Sequence, residues 1–113
     1  MIELRLSSLP PSTNAIWRSG QGRVFKSRAY SDWLKQAGWE IKAQRPDRIE
    51  GHHKLSMEVG RPDNRRRDLD NLIKPEQDLL VSLGIVTDDS KCIALSARWA
   101  DFADDLVVTL EPA

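Results

Sequence analysis

The alternation of apolar and polar residues predicts strands in four parts of the chain. Residues 2–7 and 54–59 alternate with a period of two, which is typical of a strand with one buried face. Residues 93–99 and 106–110 are also rich in strand-forming residues. The segment between them, residues 101–105, suits a turn, so we expect the last two strands to form a hairpin.

A helical period in two other segments predicts two helices. In the first helix, Ser27 is a suitable N-cap and Pro46 ends the helix. Its apolar face consists of Tyr30, Trp33, Leu34, Ala37 and Ile41. The second helix carries Leu72, Ile73, Leu79, Leu80 and Leu83 and ends at Gly84. Because Pro75 lacks an N–H and restricts the residue before it, this helix should begin near Pro75 or have a distorted first turn.

Trp39 falls on the opposite face of the first predicted helix from the apolar residues. Its neighbours on that face include Lys35 and Lys42. An aromatic side chain among lysines indicates a subunit contact or a nucleic-acid contact, whereas a loop that covers the side chain would explain it equally well.

Together these elements predict an α+β fold in the order β-α-β-α-β-β. Two helices pack on one face of a small mixed sheet. Residues 18–23 are polar and rich in glycine, and residues 23–26 are expected to form a short extended piece. With 113 residues, of which 40% are hydrophobic, the chain is expected to form a single domain, 1–113.

Neither export nor membrane insertion is predicted. No apolar run approaches the roughly 20 residues of a spanning helix, and the N-terminus lacks the pattern of a signal peptide. The single cysteine, Cys92, cannot form an internal disulfide, which fits a reducing compartment. We therefore expect a cytoplasmic protein without membrane contact.

The formal net charge is zero, but the charges are unevenly divided along the chain. Residues 1–67 hold 14 Lys and Arg against 7 Asp and Glu, a net of +7. Residues 68–113 hold 3 against 10, a net of −7. A basic surface that attracts a polyanion, beside an acidic pocket that binds a cation, suits a metal-dependent nuclease. Folding could also mix the two sets of charges in space, and the division alone does not decide between these outcomes.

The most informative segment, residues 65–74, spans this division. Asp68 and Asp70 follow three arginines, and Lys74 comes four residues after Asp70. A second acidic pair, residues 88–89, follows after one helix length and a glycine. Clustered carboxylates are the ligands that Mg²⁺ prefers, and Mn²⁺ can take its place. Adjacent arginines suit phosphates, so the segment predicts metal-assisted cleavage of a nucleic-acid backbone.

A metal ion shared by Asp68 and Asp70 requires a particular backbone. Side chains two residues apart diverge by about 200° in a regular helix but point the same way in an extended segment. We therefore expect an extended segment or a turn at the helix entrance, with Asp70 or Asn71 as the N-cap. Asp89 must return in space to the same end of the helix.

The neighbouring residues suit other tasks in such a site. Lys74 is expected to neutralise developing negative charge or to orient the attacking water. Arg67 and Asn71 flank the carboxylates and suit the neighbouring phosphates. Arg65 and Arg66 are expected to position the nucleic-acid backbone rather than to recognise bases.

The same residues also have a structural explanation. Asp-x-Asp and Asp-Asp sequences are common in turns, and the arginine run could be a solvated surface with a capping aspartate. Each element alone is weak evidence for a functional site. The spacing of all of them together favours one.

Residues 67–74, with Asp78, Leu79 and residues 84–90, resemble the RusA family of Holliday junction resolvases of bacteria and their phages. Residues 9–18 resemble that family's N-terminal segment, so the similarity spans nearly the whole chain. It implies a RusA-like fold and a Mg²⁺-dependent endodeoxyribonuclease. Such an enzyme resolves four-way junctions or related branched DNA by paired symmetric nicks, in recombination and repair. It also implies a homodimer, because two symmetric cuts need two sites related by a twofold axis.

The resemblance further implies roles for individual residues. Asp68, Asp70 and Asp89 correspond to the carboxylates of the metal site, and Lys74 corresponds to a lysine that cleavage requires. Asp88 matches the first acid of the second pair. The resemblance also assigns Arg67 and Asn71 to the same site. The full set of predicted DNA contacts is Arg65, Arg66, Arg67, Asn71, Asn14 and Arg18.

Two other functions compete with this one. The protein could be a branched-DNA-binding module that holds junctions without cutting them, or a phosphate- or metal-binding protein unrelated to DNA. Because no expected acid or lysine is missing, the sequence favours the enzyme.

Overall fold

The computed structural model describes residues 1–10, 17–20, 23–60, 69–101 and 106–113, with the backbone alone for residues 17–20 and 23–26. In this part of the chain the strands are β1 (Ile2–Leu6), β2 (Trp17–Gly20), β3 (Arg23–Lys26), β4 (His53–Gly60), β5 (Cys92–Ala100) and β6 (Leu106–Pro112). The helices are α1 (Arg28–Ala43) and α2 (Ile73–Ser82), with short 3₁₀ helices at Leu69–Leu72 and Asp89–Lys91. The predicted α+β class is confirmed.

Four strands form one mixed sheet in the order β1-β6-β4-β5. β6 runs antiparallel to both β1 and β4, whereas β5 runs parallel to β4, with α2 as the crossover between them. The predicted hairpin of the last two strands is therefore wrong, because β4 lies between them. Burial agrees with the order: four of the first five residues of β6, an inner strand, are buried, whereas most residues of the edge strand β5 are exposed.

A hairpin precedes α1 and is missing from the predicted order. β2 and β3 pair in an antiparallel two-stranded sheet. Residues 23–26 are extended as expected, but residues 17–20 fall largely in the polar, glycine-rich segment, where no alternation of apolar residues indicates a strand.

One face of the four-stranded sheet carries the core. Its apolar side chains are Leu4, Leu6, Leu55, Met57, Val59, Leu106, Val108 and Leu110, and α1 and α2 pack their own apolar residues into the same cluster. The other face is polar, and there Arg98 donates to Glu58 at 2.7 Å and Ser96 donates to Ser56 at 3.1 Å. The helices thus cover one face of the sheet, as predicted.

The bounds of α1 agree with the sequence. Ser27 is the N-cap, and its Oγ accepts a hydrogen bond from the N–H of Tyr30 at 3.2 Å. The helix ends at Ala43, shortly before Pro46. The side chain of Trp39 is 77% exposed, so no loop among the described residues covers it.

The start of α2 combines both outcomes that Pro75 predicts. A 3₁₀ turn, Leu69–Leu72, precedes a helix that begins at Ile73, so Pro75 lies in the first turn. The ring is tolerated there because the N–H groups of a first turn have no partner within the helix. The predicted N-cap at Asp70 or Asn71 is wrong, since Leu72 occupies the N-cap and no side chain caps the helix.

The end of α2 reverses the chain where the sequence predicts. Gly84 has a φ of 75°, and its N–H bonds to the carbonyl of Val81, while the N–H of Ile85 bonds to that of Leu80. Val86 then forms a parallel bridge with Ile49. This turn directs the following acidic residues back towards the helices. Among the described residues, no helix has the length and apolar character needed to span a membrane.

Replacing Arg45 with glycine is expected to raise the free energy of unfolding by about 0.5–1 kcal/mol. Arg45 follows α1 with a φ of 50°, a left-handed conformation that glycine adopts without a Cβ clash. Urea unfolding measures the change. Arg48→Gly, in the same loop but without a positive φ, is the control and should not stabilise. Equal stabilisation by both changes would show that the gain does not come from relieving the left-handed backbone conformation of Arg45.

Candidate active site

Asp70 and Lys74 lie at the entrance to α2. Asp70 is exposed in the 3₁₀ turn that precedes the helix, and Lys74 is the second residue of the helix. The expected turn at the helix entrance is therefore present at Asp70. The N-terminus of α2 adds partial positive charge to this region, which favours bound anions.

Lys74 connects acidic residues from two separate parts of the chain. Its Nζ donates a hydrogen bond to Oδ1 of Asp78 at 2.9 Å and lies 3.7 Å from Oδ2 of Asp89. Asp78 lies one turn later on α2, whereas Asp89 begins the 3₁₀ helix that follows the Gly84 turn. Asp89 therefore returns to the first turns of α2, as the sequence-based hypothesis requires.

These contacts keep the Lys74 side chain charged. The hydrogen bond to Asp78, together with the charges of Asp78 and Asp89, raises the pKa of Lys74 above its ordinary value against a smaller opposing effect of burial. The side chain is still 60% exposed, so a ligand can reach it. A lysine that stays protonated at neutral pH can stabilise a phosphate but is unsuited to accept a proton.

Asp88 adds a further carboxylate beside Asp89. It accepts a hydrogen bond from Oγ of Ser90 at 3.1 Å. A side-chain hydrogen bond with Asp89, and then the one from Ser90, holds the pKa of Asp88 below its ordinary value. The turn after α2 therefore presents negative charge at neutral pH.

A cleft of about 350 Å³ opens beside these residues, between α1 and α2. Its lining is acidic on the α2 side and partly apolar on the α1 side, and consists of Tyr30, Leu34, Asp78, Val81, Ser82, Asp88 and Asp89. Burial, followed by the charge of Asp78, raises the pKa of Tyr30, so its hydroxyl stays protonated at neutral pH. The cleft thus combines carboxylates with a phenol, and the Nζ of Lys74 contacts two of these carboxylates, Asp78 and Asp89.

The side chains of four predicted site residues are described. Lys74 and Asp89 are brought within 3.7 Å of each other, and Asp70 and half-buried Asn71 share the 3₁₀ turn before α2. Asp68, Arg65, Arg66, Arg67 and Asn14 lie outside the described residues, and Arg18 lies on β2, for which only the backbone is described.

The donor chemistry of this region suits a hard cation. Asp70 and Asp89 offer carboxylate oxygens near one end of α2, and Asp68 directly precedes the described 3₁₀ turn. Within the described ranges, no three His, Cys, Asp or Glu side chains form a group that could hold a metal ion. The metal site with its third ligand, Asp68, therefore stays a prediction.

Sequence reasoning gave no role to two residues at the site. Asp78 is the hydrogen-bond partner of Lys74, and its signal was the i, i+4 spacing of a lysine and an aspartate on one helix. Tyr30 was assigned to the core only. Its position at the cleft follows from the packing of α1 beside α2, which no local pattern reveals.

Comparison with known proteins covers nearly the whole chain. The family model described as Endodeoxyribonuclease RusA matches residues 8–111. The chain belongs to the RusA family. The resemblance noted in the sequence is thereby confirmed, and the matched range includes every residue of the candidate site.

Individual RusA proteins support the same assignment. The crossover junction endodeoxyribonuclease RusA of Aquifex aeolicus (strain VF5) is 34% identical over 91 residues, which cover 79% of this chain and 72% of the relative. The protein of the same name from Escherichia coli (strain K12) is 36% identical over 91 residues, covering 74% and 71%. That of Enterobacteria phage 82 is 34% identical over 85 residues, covering 74% and 71%.

Proposed function

We propose that this protein is a Mg²⁺-dependent endodeoxyribonuclease that cuts four-way junctions, or related branched DNA, by paired symmetric nicks in recombination and repair. The observation that carries the proposal is the meeting of Lys74 and Asp89 at the entrance to α2, where Asp70 also lies. Its relatives in the RusA family are crossover junction endodeoxyribonucleases, which supports branched DNA as the substrate class.

In this proposal Asp68, Asp70 and Asp89 hold the Mg²⁺ ion, for which Mn²⁺ can substitute. When bound, the ion lowers the pKa of an attacking water and neutralises charge on the phosphoryl oxygens. Lys74 supplies a second positive charge near Asp89. Asp78 fixes the position of this charge, so that it can stabilise the negative charge that develops on the phosphate.

The DNA contacts follow from the residues around the carboxylates. Arginine forks bind phosphates bidentately and fix the register of the backbone without selecting bases. The proposed contacts are Arg65, Arg66, Arg67 and Asn71 beside the site, and Asn14 and Arg18 from the N-terminal part of the chain.

Two symmetric nicks require two active sites, so we propose a homodimer. In the described sheet β5 is an edge strand, and it carries Ile93 and Leu95 with 58% and 46% of their surface exposed. Exposed apolar residues on an edge strand favour pairing with another chain. Two copies of β5 related by a twofold axis would bury these side chains and extend the sheet.

Replacing Ile93 and Leu95 together with lysine is expected to give a monomer, because charges on an edge strand oppose pairing. Sedimentation velocity measures the change. Trp39→Ala also removes an exposed apolar side chain, but from α1, and is expected to leave the dimer intact. A double lysine variant that sediments as a dimer would show that the interface lies elsewhere.

Incubation of an end-labelled four-way junction with the protein and Mg²⁺ tests the proposed activity. We expect nicks at symmetric positions on two opposite strands, and none in EDTA. Binding without nicks would support a junction-binding module instead. Equal or absent affinity for the junction and a linear duplex would leave a phosphate- or metal-binding protein as the explanation.

A further inference from the structure

The outer face of α1 carries an aromatic side chain that the core does not use. Trp39 is 77% exposed, and it lies away from the buried positions Trp33, Ala37 and Ile41. Exposing the apolar surface of an indole to water is unfavourable. A single exposed aromatic residue does not by itself mark a binding surface, so its charged neighbours decide the interpretation.

Two lysines flank Trp39 on the same face of the helix. Lys35 lies four residues before Trp39 and Lys42 lies three residues after it, so both are its neighbours on the helix surface. Both lysines are exposed, and neither takes part in an ion pair among the described residues. The three side chains form a basic-aromatic strip, Lys35, Trp39 and Lys42, about 10 Å long.

This strip borders the side of α1 that faces the candidate active site. On one side of α1, Glu40 accepts hydrogen bonds from Ser7, which anchors that side to the end of β1. On the other side, Leu34 lines the cleft, and Gly38 lies beside Leu83 at the end of α2. Lys35 and Lys42 are three residues before and four residues after Gly38, so they follow the α2 side.

The charges near the strip leave it positive. Both acids of α1 have partners away from the lysines, because Asp32 pairs with Arg28 at 3.9 Å and Glu40 accepts hydrogen bonds from Ser7. Such a surface attracts a polyanion, whereas the cleft on the other side of Leu34 is acidic. DNA with accessible base faces matches this surface, because its phosphates can bind the lysines and its bases can stack on the indole.

We propose that the basic-aromatic strip is a second DNA contact, at which Trp39 stacks on a base exposed at the branch point while Lys35 and Lys42 bind the adjacent phosphates. The proposal rests on the nuclease function above and adds a residue that distinguishes a branch from a continuous duplex. Inside a duplex the base faces are covered by stacking, and they become accessible where strands diverge.

A second copy of the protein is a weaker match for this strip. A twofold contact centred on Trp39 would bring Lys35 and Lys42 close to the same lysines of the partner. Lysine is depleted from protein interfaces, and like charges oppose association. The edge strand β5 offers apolar residues without that repulsion.

Binding of a fluorescent four-way junction and of a linear duplex of the same sequence, measured in EDTA over a range of salt concentrations, tests the strip. Trp39→Ala should weaken junction binding by about tenfold and duplex binding by less than about twofold, whereas Trp39→Phe should restore most of the loss. The double variant Lys35→Ala, Lys42→Ala should show a shallower dependence of log K on log salt, which corresponds to about two fewer phosphate contacts. Lys54→Ala, which removes an exposed lysine from β4, is the matched control and should leave the junction preference unchanged.

Several outcomes would overturn the inference. If the wild type prefers the junction and Trp39→Ala keeps that preference unchanged, the strip does not contact the branch, although the proposed function stands. If Trp39→Ala converts the dimer into a monomer in sedimentation velocity, the strip is a subunit contact. If the wild type itself shows no preference for the junction, the proposed function fails and the inference fails with it.

Discussion

Asp70→Asn is expected to lower the rate of junction cutting by roughly a thousandfold or more while leaving junction binding at least as tight as in the wild type. The substitution replaces a charged carboxylate ligand with a neutral amide, so the cation is no longer held in the position that cleavage requires. Losing a negative charge next to DNA does not weaken the attraction for the phosphates. Cutting is measured under single-turnover conditions with Mg²⁺, and binding is measured separately in EDTA.

Asp89→Asn should have the same effect, because Asp89 is the second proposed metal ligand and also lies 3.7 Å from the Nζ of Lys74. Asp47→Asn, which changes an exposed aspartate in the loop after α1, is the matched control and should cut normally. Turnover like that of the wild type in Asp70→Asn or Asp89→Asn would show that the carboxylate assignment is wrong. Loss of cutting in all three variants would indicate a general effect of charge.

Glu76→Leu is expected to stabilise the protein, most strongly at alkaline pH. Glu76 is fully buried, and among the described residues neither of its carboxylate oxygens has a hydrogen-bond partner. It follows Leu72 by four residues and precedes Leu79 and Leu80 by three and four, so it lies on the apolar face of α2. Leucine at this position would continue that face without a polar group to desolvate.

The expected pH dependence follows from the direction of the shift. Burial raises the pKa of Glu76 from 4.5 to about 8. Below pH 4.5 the carboxyl group is protonated in the folded and unfolded states, so the wild type loses nothing. Between 4.5 and 8 the unfolded chain releases the proton that the folded protein keeps, so stability falls as the pH rises. The loss is complete above pH 8 and amounts to roughly 5 kcal/mol.

Urea unfolding at pH 5, 7 and 8.5 measures this effect. The advantage of Glu76→Leu over the wild type should grow by a few kcal/mol between the lowest and highest pH. Glu111→Leu, at an exposed position on β6, is the control and should show no such growth. Parallel pH profiles for the wild type and Glu76→Leu would mean that the carboxylate is neutralised in a different way.

Glu76 also shows where sequence reasoning stopped. The apolar residues of α2 follow a helical period that places position 76 in the middle of the buried face, and a glutamate there breaks the pattern. This break in the apolar pattern was the feature from which a buried carboxyl group could have been predicted. A glutamate is most often exposed, so the pattern was assigned from its apolar members alone.

The regular elements were predictable because each depends on a local pattern. The Ser27 cap, the reversal at Gly84 and the alternation in β1 and β4 each follow from residues within one turn or one strand. The order of the strands depends on which strand is buried on both faces, which is a property of the whole sheet. A short link between β5 and β6 therefore suggested a hairpin that does not form.

The candidate site divides in the same way. Asp70 and Lys74 are four residues apart, so their proximity at the entrance to α2 followed from the sequence. The return of Asp89 depends on the turn at Gly84 and on the packing of the next segment. The sequence showed that a shared metal site needs this return, but it could not show that the return occurs. The contact of Asp78 with Lys74 was predictable from their i, i+4 spacing on one helix. Asp78 received no role because it lies outside the two acidic clusters, residues 68–70 and 88–89.

In the proposed active site, Asp70 and Asp89, distant in the chain, bind one divalent cation beside Lys74. A crystal of the protein soaked in Mn²⁺, with anomalous scattering used to locate the ion, tests it directly. We expect an ion within about 2.3 Å of carboxylate oxygens from both aspartates, with Asp68 as the third protein ligand. An ion bound by only one of the two aspartates, or a site that stays empty at saturating Mn²⁺, would contradict it.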